Sequence, residues 1–145
     1  MNVYLFFDGN CREAFDFYAD ALGGDIVMST TYADAPDDLV VPDGAKDLIM
    51  HVTLSALGGV VMGSDNVEGF GPPRTTGSNF AISVSPPDRD AADRIFARLT
   101  DGGSVDMPMQ DAFWGSYFGS GRDRFGVEWM INLDTQGQAD PGTTT

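Results

Sequence analysis

The sequence predicts an α+β fold built from two tandem modules, each with the element order β-α-β-β-β. The main observation is an internal repeat with a spacing of about 78 residues. A short apolar strand, a polar turn and an amphipathic helix occur near the start of the chain and again in its second half. Each helix is followed by paired glycines, Gly23-Gly24 and Gly102-Gly103. A chain of 145 residues can accommodate two such half-domains, each burying one face of its helix.

The first module begins with an apolar strand over residues 3–7, and a helix follows it that ends at Gly23. Asn10 is the expected N-cap of this helix, because its side chain can accept a first-turn amide while Glu13 returns a bond to the Asn10 amide. The other predicted elements are a strand from Ile26 to about Tyr32, a polar loop over 33–47, strands over 48–56 and 60–64, and the hairpin turn Leu57-Gly58-Gly59.

The second module repeats this order. It is predicted to contain a strand over 79–84, a helix from about 88 to 100, and strands near 104–110, 114–121 and 126–133. The helical core positions that match between the modules are Ala14, Phe17, Tyr18 and Ala21 with Ala92, Ile95, Phe96 and Leu99. The resulting organisation is a first module over 1–64, a linker over 65–78, a second module over 79–134 and a disordered tail over 135–145.

The composition excludes some classes of partner. The formal net charge is −14, with 22 acidic against 8 basic residues, so the surface should repel nucleic acid and anionic membranes. No apolar run approaches the ~18 residues of a membrane span, and no basic leader precedes the first strand. Cys11 is the only cysteine, which excludes an internal disulfide. We therefore expect a cytoplasmic protein.

Several motifs resemble one known superfamily. The N-terminal Tyr-Leu-Phe-Phe-Asp-Gly-Asn and the helix pattern Ala-x-x-Phe-Tyr from Ala14 resemble the vicinal oxygen chelate proteins, which include glyoxalase I, bleomycin- and fosfomycin-resistance proteins and extradiol dioxygenases. The run from Met107 to Asn132 is similar to the PhnB-like branch. This resemblance implies mixed sheets that curve around a cavity, a small organic molecule as ligand, and commonly a homodimer.

The resemblance also implies a divalent metal, held by His, Gln or Glu side chains on the first and last strands of each module. At the matching positions this chain has Val3, Asn79 and Met130, and the strand Val60-Val-Met-Gly contains no carboxylate. One histidine and three glutamates are few ligands for a catalytic Zn, Ni or Fe site. We therefore expect no cofactor. The alternative is a lyase, transferase or dioxygenase with a metal at His51 and carboxylates.

Strand alternation selects the candidate catalytic residues. In the strand around His51, Met50, Val52 and Leu54 should face the helices, which leaves His51, Thr53 and Ser55 facing the cavity. Histidine titrates near physiological pH, so His51 could act as a base. Glu128 should face the cavity together with Met130 and Asn132, and it could act as an acid or base. Alternation predicts that His51 and Glu128 share one cavity. Both could instead be ordinary hydrogen-bonded or solvated strand residues.

The remaining candidates lie at a hairpin and at a helix start. Phe113, Trp114, Tyr117 and Phe118 place four aromatic rings within six residues. These rings either wall an apolar pocket or pack in the core or a dimer interface. Cys11 lies at the first helical position, where a helix dipole can lower a thiol pKa. The glycines at 119–121 do not form a phosphate-binding loop, and no glycine-rich turn supports methyltransferase activity.

The sequence thus favours a protein that binds a small organic molecule without a metal. The expected lining of its pocket is His51, Thr53, Asn79, Trp114, Tyr117, Phe118, Glu128, Met130 and Asn132. Two other hypotheses remain open at this point, a metal-dependent enzyme of the same superfamily and a protein whose aromatic cluster only forms an interface.

Overall fold

The computed structural model describes residues 1–135 as two compact units, the first spanning Met1–Thr76 and the second starting at Gly77. The first unit contains β1 (Val3–Phe7), α1 (Cys11–Leu22), β2 (Asp25–Thr31), a 3-10 turn (Tyr32–Asp34), β3 (Ile49–Ala56) and β4 (Gly59–Asp65). The second contains β5 (Ile82–Val84), α2 (Arg89–Thr100), β6 (Ser104–Asp111), β7 (Ser116–Arg122) and β8 (Glu128–Asp134). The predicted α+β class with two βαβββ modules is confirmed.

The two sheets have the same topology. The strand order is β1-β4-β3-β2 in the first unit and β5-β8-β7-β6 in the second. In each sheet the first and last strands of the unit pair in parallel, and the other neighbours are antiparallel. Each helix packs on one face of its own sheet, and we call the opposite face the outer face. Neither described helix has the length and apolar character needed to cross a membrane.

The helix face of the first sheet fits closely against α1. A Cβ atom built on Gly63 would lie 2.6 Å from the Phe15 ring, so only glycine at this position allows the helix to pack. The hairpin between β3 and β4 turns at Leu57 and Gly58, which both take positive φ angles (49° and 75°) as a two-residue turn requires. The predicted hairpin is confirmed.

The start of α1 differs from the prediction. Asn10 makes no side-chain capping bond, so the predicted capping box with Glu13 is wrong. The carboxylate of Asp65, at the end of β4, takes this role: its Oδ1 accepts hydrogen bonds from the backbone amides of Gly9 (2.9 Å) and Cys11 (3.0 Å). The predicted last strand stopped at residue 64, which left this carboxylate in the linker.

Asp65 also connects α1 to the rest of the first unit. Its Oδ2 accepts the backbone amide of Ile49 at 2.8 Å, and its backbone carbonyl accepts the Tyr32 hydroxyl at 2.9 Å. The residue is 2% exposed. A buried carboxylate is tolerated when hydrogen-bond donors replace the lost water, and these backbone amides do so.

The predicted helix core is correct in part. Ala14, Tyr18 and Ala21 are buried in α1, but Phe17 is only half-buried and Phe15 is buried in its place. In α2, Ala92, Ile95 and Leu99 are buried and Phe96 is half-buried. The two helices start 78 residues apart, at 11 and 89, but the buried pattern 14, 15, 18 and 22 recurs at 91, 92, 95 and 99. The matched spacing therefore predicted both helices correctly. It predicted Phe17 and Phe96 to be core residues, whereas both are only half-buried.

The second unit uses other carboxylates. Asp88 caps α2 by accepting the Ala91 amide at 2.8 Å. Asp123, 3% exposed, accepts the amides of Phe125 and Val127 and the indole N–H of Trp129. This bonding holds the tight turn that leads into β8.

The ends of the second unit also differ from the predictions. The strand predicted over 79–84 is shorter, since β5 begins at Ile82. Thr135, predicted to be part of a disordered tail, bonds to the carbonyl of Gly115 through its amide and hydroxyl. The rest of the predicted tail, 136–145, lies outside the described residues.

Replacing Asp65 with alanine should destabilise the protein by about 3–5 kcal/mol, because the buried amides of Cys11 and Ile49 and the part-buried amide of Gly9 lose their acceptor. Urea unfolding of the variant measures this change. Asp8→Ala is the matched control, since exposed Asp8 accepts one bond from the Asn66 side chain and should change the unfolding free energy by less than about 1 kcal/mol. Equal losses in the two variants would contradict a central role for Asp65.

Candidate functional site

The outer face of the first sheet carries a row of half-exposed side chains from all four strands. Tyr4 pairs in register with Met62, Met62 with Thr53, and Thr53 with Met28. Tyr4 is 37% exposed and Met28 51% exposed. Apolar and polar groups therefore alternate along this partly exposed surface.

His51 lies on this face and is hydrogen-bonded at both ring nitrogens. Its Nε2 lies 2.8 Å from the Thr53 hydroxyl, and its Nδ1 lies 3.3 Å from the Tyr4 hydroxyl. The Tyr4 and His51 rings also contact each other, with centroids 5.7 Å apart. The sequence identified His51 and Thr53 and missed Tyr4. The alternation of β1, in which Leu5 and Phe7 are buried, was the signal that could have found it.

This chain of three groups can be polarised in either direction. A neutral imidazole has one N–H donor and one acceptor nitrogen. If Tyr4 donates to Nδ1, then Nε2 donates to Thr53 and the Thr53 hydroxyl proton points outward. If Thr53 donates to Nε2, the free proton is that of Tyr4. Either the Tyr4 hydroxyl or the Thr53 hydroxyl can therefore donate a hydrogen bond to a ligand. The tautomer of His51 decides which of the two does so.

The alternation predicted for β3 is confirmed from His51 onward and fails before it. Val52 and Leu54 are buried, and His51 and Thr53 are half-buried. Thr30 pairs with His51 but Thr31 pairs with Ile49, so Met50 is the extra residue of a bulge. Ile49 is therefore buried instead of Met50, which packs against the small cluster around Tyr32.

Thr30 lies directly beside His51 in the register. Its Oγ1 is buried and has no hydrogen-bond partner within the described residues. A buried hydroxyl without a partner costs about 1–3 kcal/mol, and such groups are expected at functional sites more than elsewhere.

Phe6 and Arg74 extend the outer face at the β1 edge. The Phe6 ring lies 5.1 Å from the Tyr4 ring between centroids and is 43% exposed. The guanidinium carbon of Arg74 lies 3.8 Å from the Phe6 ring centroid, a cation–π contact. Neither residue was singled out in the sequence, because Arg74 falls in the predicted linker.

On the second sheet, Glu128, Met130 and Asn132 are half-buried while Trp129, Ile131 and Leu133 are buried, as alternation predicts. Glu128 is not an isolated carboxylate, however. Its Oε1 accepts a hydrogen bond from Arg122 at 2.7 Å, and both side chains are about 30% exposed or less. The Glu128 carboxylate already accepts this hydrogen bond from Arg122 and is not free, which argues against the predicted acid–base role.

One member of the predicted aromatic wall lies apart from the others. Trp114 contacts Phe113 and Phe118, with ring centroids 5.0 and 5.4 Å apart. Tyr117 lies on the opposite face of β7, where its hydroxyl donates to Asp93 of α2 at 2.5 Å and that bond raises the Tyr117 pKa. A ligand on the outer face would contact Trp114 and Phe118 but not Tyr117.

Two further candidates are poorly placed for a site. Asn79 is exposed and precedes β5, so the sheet does not orient it. Cys11 is fully buried, and burial together with the nearby Asp65 carboxylate raises its pKa strongly. This is the opposite of the lowered pKa that the helix start suggested, because desolvation outweighs the helix dipole.

The described residues do not fit a metal site. Within residues 1–135, no three His, Cys, Asp or Glu side chains are grouped so that they could hold an ion. The available donors are already engaged, with both His51 nitrogens hydrogen-bonded and Glu128 paired with Arg122.

Two surface pockets lie away from the predicted residues. One of about 430 Å³ is formed by the loop after β2 and includes Tyr32, Val40 and Lys46. The other, of about 530 Å³, lies at the start of α2 and includes Asp88 and Arg89. His51 belongs to the first unit and Glu128 to the second. The prediction that they share one cavity stays a prediction.

Comparison with known proteins agrees with the motifs. The family model of the glyoxalase/bleomycin resistance protein/dioxygenase superfamily matches residues 1–131. This chain belongs to that superfamily. Its members bind small molecules, and many hold a metal. The resemblance inferred from the sequence is confirmed.

Individual relatives cover nearly the whole chain. Protein PA1353 from Pseudomonas aeruginosa is 39% identical, with a TM-score of 0.80 over 92% of this chain and 96% of that one. Protein YjdN of Escherichia coli K12 is 28% identical over 94% of this chain and 96% of its own length. A Bacillus cereus PhnB protein, described as a putative 3-demethylubiquinone-9 3-methyltransferase, is 22% identical with a TM-score of 0.72. The match covers 92% of this chain and 98% of that one. At this identity the similarity shows the shared fold alone.

The burial of Cys11 leads to a labelling prediction. A thiol-exchange reagent at pH 8 should label the native protein at least about 100-fold more slowly than the protein unfolded in guanidinium. The raised pKa lowers the thiolate fraction, and the zero exposure blocks access of the reagent. The unfolded sample is the control and should give one thiol per chain. Native labelling at the unfolded rate would contradict the burial.

Proposed function

We propose that this protein binds a small organic molecule on the outer face of the first sheet. The observation that carries the proposal is the hydrogen-bonded chain Tyr4–His51–Thr53, located among half-exposed aromatic and methionine side chains. Ligand sites are mostly apolar with a few polar groups that fix orientation, and this face has that character. The buried, unpartnered Thr30 hydroxyl beside His51 supports the same location.

Each group has a distinct role in this proposal. Met62 and Met28 supply an adaptable apolar surface. The Tyr4 ring contacts the body of the ligand, and its hydroxyl or that of Thr53 donates to an acceptor atom of the ligand. His51 sets which of the two hydroxyls carries the outward proton, and it is the group that would move a proton if the ligand is a substrate.

The outer face of the second sheet is proposed as a separate binding surface of its own unit, formed by Phe118, Met130, Asn132 and Trp114. Glu128 takes part as the partner of Arg122 and not as a free acid. Tyr117 and Asn79 are left out of the proposed surface, because one lies on the helix side and the other outside the sheet.

A homodimer is also proposed. The edge strands β2 and β6 are exposed along most of their length and carry apolar side chains, including Val27 at 61% and Val105 at 51% exposure. Exposed apolar edges tend to pair with another chain or become covered. Members of the superfamily often form dimers. A cytoplasmic location remains an expectation from the composition.

Small-molecule binding can be followed directly, because His51 is the only histidine and its Hε1 proton gives a single NMR signal. Fragments that bind as proposed should shift this signal. The His51→Ala variant lacks the signal, so its affinity is measured by isothermal titration calorimetry. It should bind the fragments about tenfold more weakly, because the hydrogen bonds of the imidazole are lost. Glu13→Gln, on the exposed side of α1, is the matched control and should bind unchanged. Fragments that bind without moving the His51 signal would refute this location.

The metal-dependent alternative has its own test. Chelator-treated protein is heated with Mn, Fe(II), Co, Ni or Zn, and a specific ion at 100 times its dissociation constant should raise Tm by about 3–6 °C. Because the donors are already engaged, we expect no ion to give a shift that His51→Ala abolishes. Such a His51-dependent shift would favour a metalloenzyme, whereas a shift that the variant retains reflects loose binding to the acidic surface.

A further inference from the structure

We infer that the ligand of the first sheet's outer face is an organic anion, whose carboxylate, phosphate or phosphonate group is bound by Arg74. This inference rests on the proposed function, since it names the chemical class that the same face would accept. It starts from the stacking of Arg74 on Phe6 and from the absence of a carboxylate partner for Arg74 within residues 1–135.

The stacking leaves the hydrogen-bonding edge of the guanidinium available. Arg74 Cζ lies 3.8 Å from the Phe6 centroid, so the aromatic ring contacts the guanidinium carbon and not the N–H groups alone. A guanidinium is planar and presents five N–H donors in a fork that matches an oxyanion with two hydrogen bonds. The Phe6 ring therefore orients a donor group without consuming its donors.

Three other arginines of this chain form ion pairs with carboxylates. Arg89, Arg122 and Arg124 form ion pairs with Asp111, Glu128 and Asp101. With 22 acidic residues against 8 basic ones, carboxylates are abundant, yet Arg74 contacts an aromatic ring instead. Arg94 also lacks an ion pair among the described residues, but it lies on the exposed side of α2 and stacks on no ring. Arg74 differs from these arginines because it stacks on an aromatic ring and its N–H groups form no ion pair among the described residues.

Two prolines restrict the backbone directly before Arg74. Pro72 and Pro73 precede it, and each proline fixes its own φ near −65° while restricting the residue before it. The segment belongs to the first unit, which extends to Thr76. Two residues of restricted φ therefore lie directly before Arg74, after the turn glycines Gly69 and Gly71.

The neighbouring groups suggest the shape of the ligand. Phe6 contacts Tyr4 with centroids 5.1 Å apart, and Tyr4 bonds to His51. An oxyanion at Arg74 would leave the body of the ligand over the Tyr4 ring and its far end near the His51 chain. The net charge of −14 repels anions at long range, but salt screens that repulsion beyond about 8 Å, so the local guanidinium dominates at contact.

The test compares three probes of similar shape, namely benzoate, phenylphosphonate and neutral benzamide. Their dissociation constants are measured from the His51 Hε1 signal at about 0.15 M salt. We expect the two anions to bind at least about fivefold more tightly than benzamide, and Arg74→Gln to remove this preference, as loss of a charge-assisted hydrogen bond predicts. Arg94→Gln lowers the net charge equally and should retain the preference.

The outcomes separate this inference from the proposed function. If all three probes shift the His51 signal with equal affinity, or if Arg74→Gln keeps the preference for anions, the role of Arg74 is wrong while the binding face stands. If Arg94→Gln weakens the anions as much as Arg74→Gln, the effect is one of net charge and the inference is overturned. If no probe shifts the His51 signal, the proposed face itself is contradicted.

Discussion

The buried carboxylate of Asp65 is the interaction on which the first unit depends. Placed at the end of β4, it accepts amides from the turn after β1, from the first residue of α1 and from the first residue of β3. Three segments far apart in sequence therefore meet at one side chain. A charge at a helix N-terminus is also favourable for the helix dipole. This carboxylate connects the end of β1 with the start of β3. It therefore helps to hold the outer-face residues of these two strands in their relative positions.

The second unit reaches the same topology through different contacts. Asp88 caps α2 locally, and Asp123 organises the turn before β8 together with the Trp129 indole. Equivalent strand order thus does not require equivalent polar contacts, because the apolar pattern of the strands and helices defines the layers. The carboxylates decide how each helix begins and how each turn closes.

The polar chemistry of the two outer faces also differs. The first carries an imidazole between two hydroxyls and a stacked guanidinium that has no anionic partner among residues 1–135. The second carries an already neutralised Arg122–Glu128 pair beside aromatic and methionine side chains. Superfamily membership describes the framework, and function has to be argued from such groups. In the function proposed above, these groups recognise a polar or charged small molecule.

The sequence by itself determined the repeated βαβββ order, most strand and helix positions, and the faces of His51 and Thr53, because periodicity and glycine placement are local properties. Only the tertiary structure decided which long-range partners these groups have. Asp65 replaced Asn10 as the cap, the Met50 bulge moved Ile49 into the core, and Arg122 neutralised Glu128. Tyr4 and Arg74 joined the site because strand pairing and stacking bring together residues whose sequence separation carries no local signal.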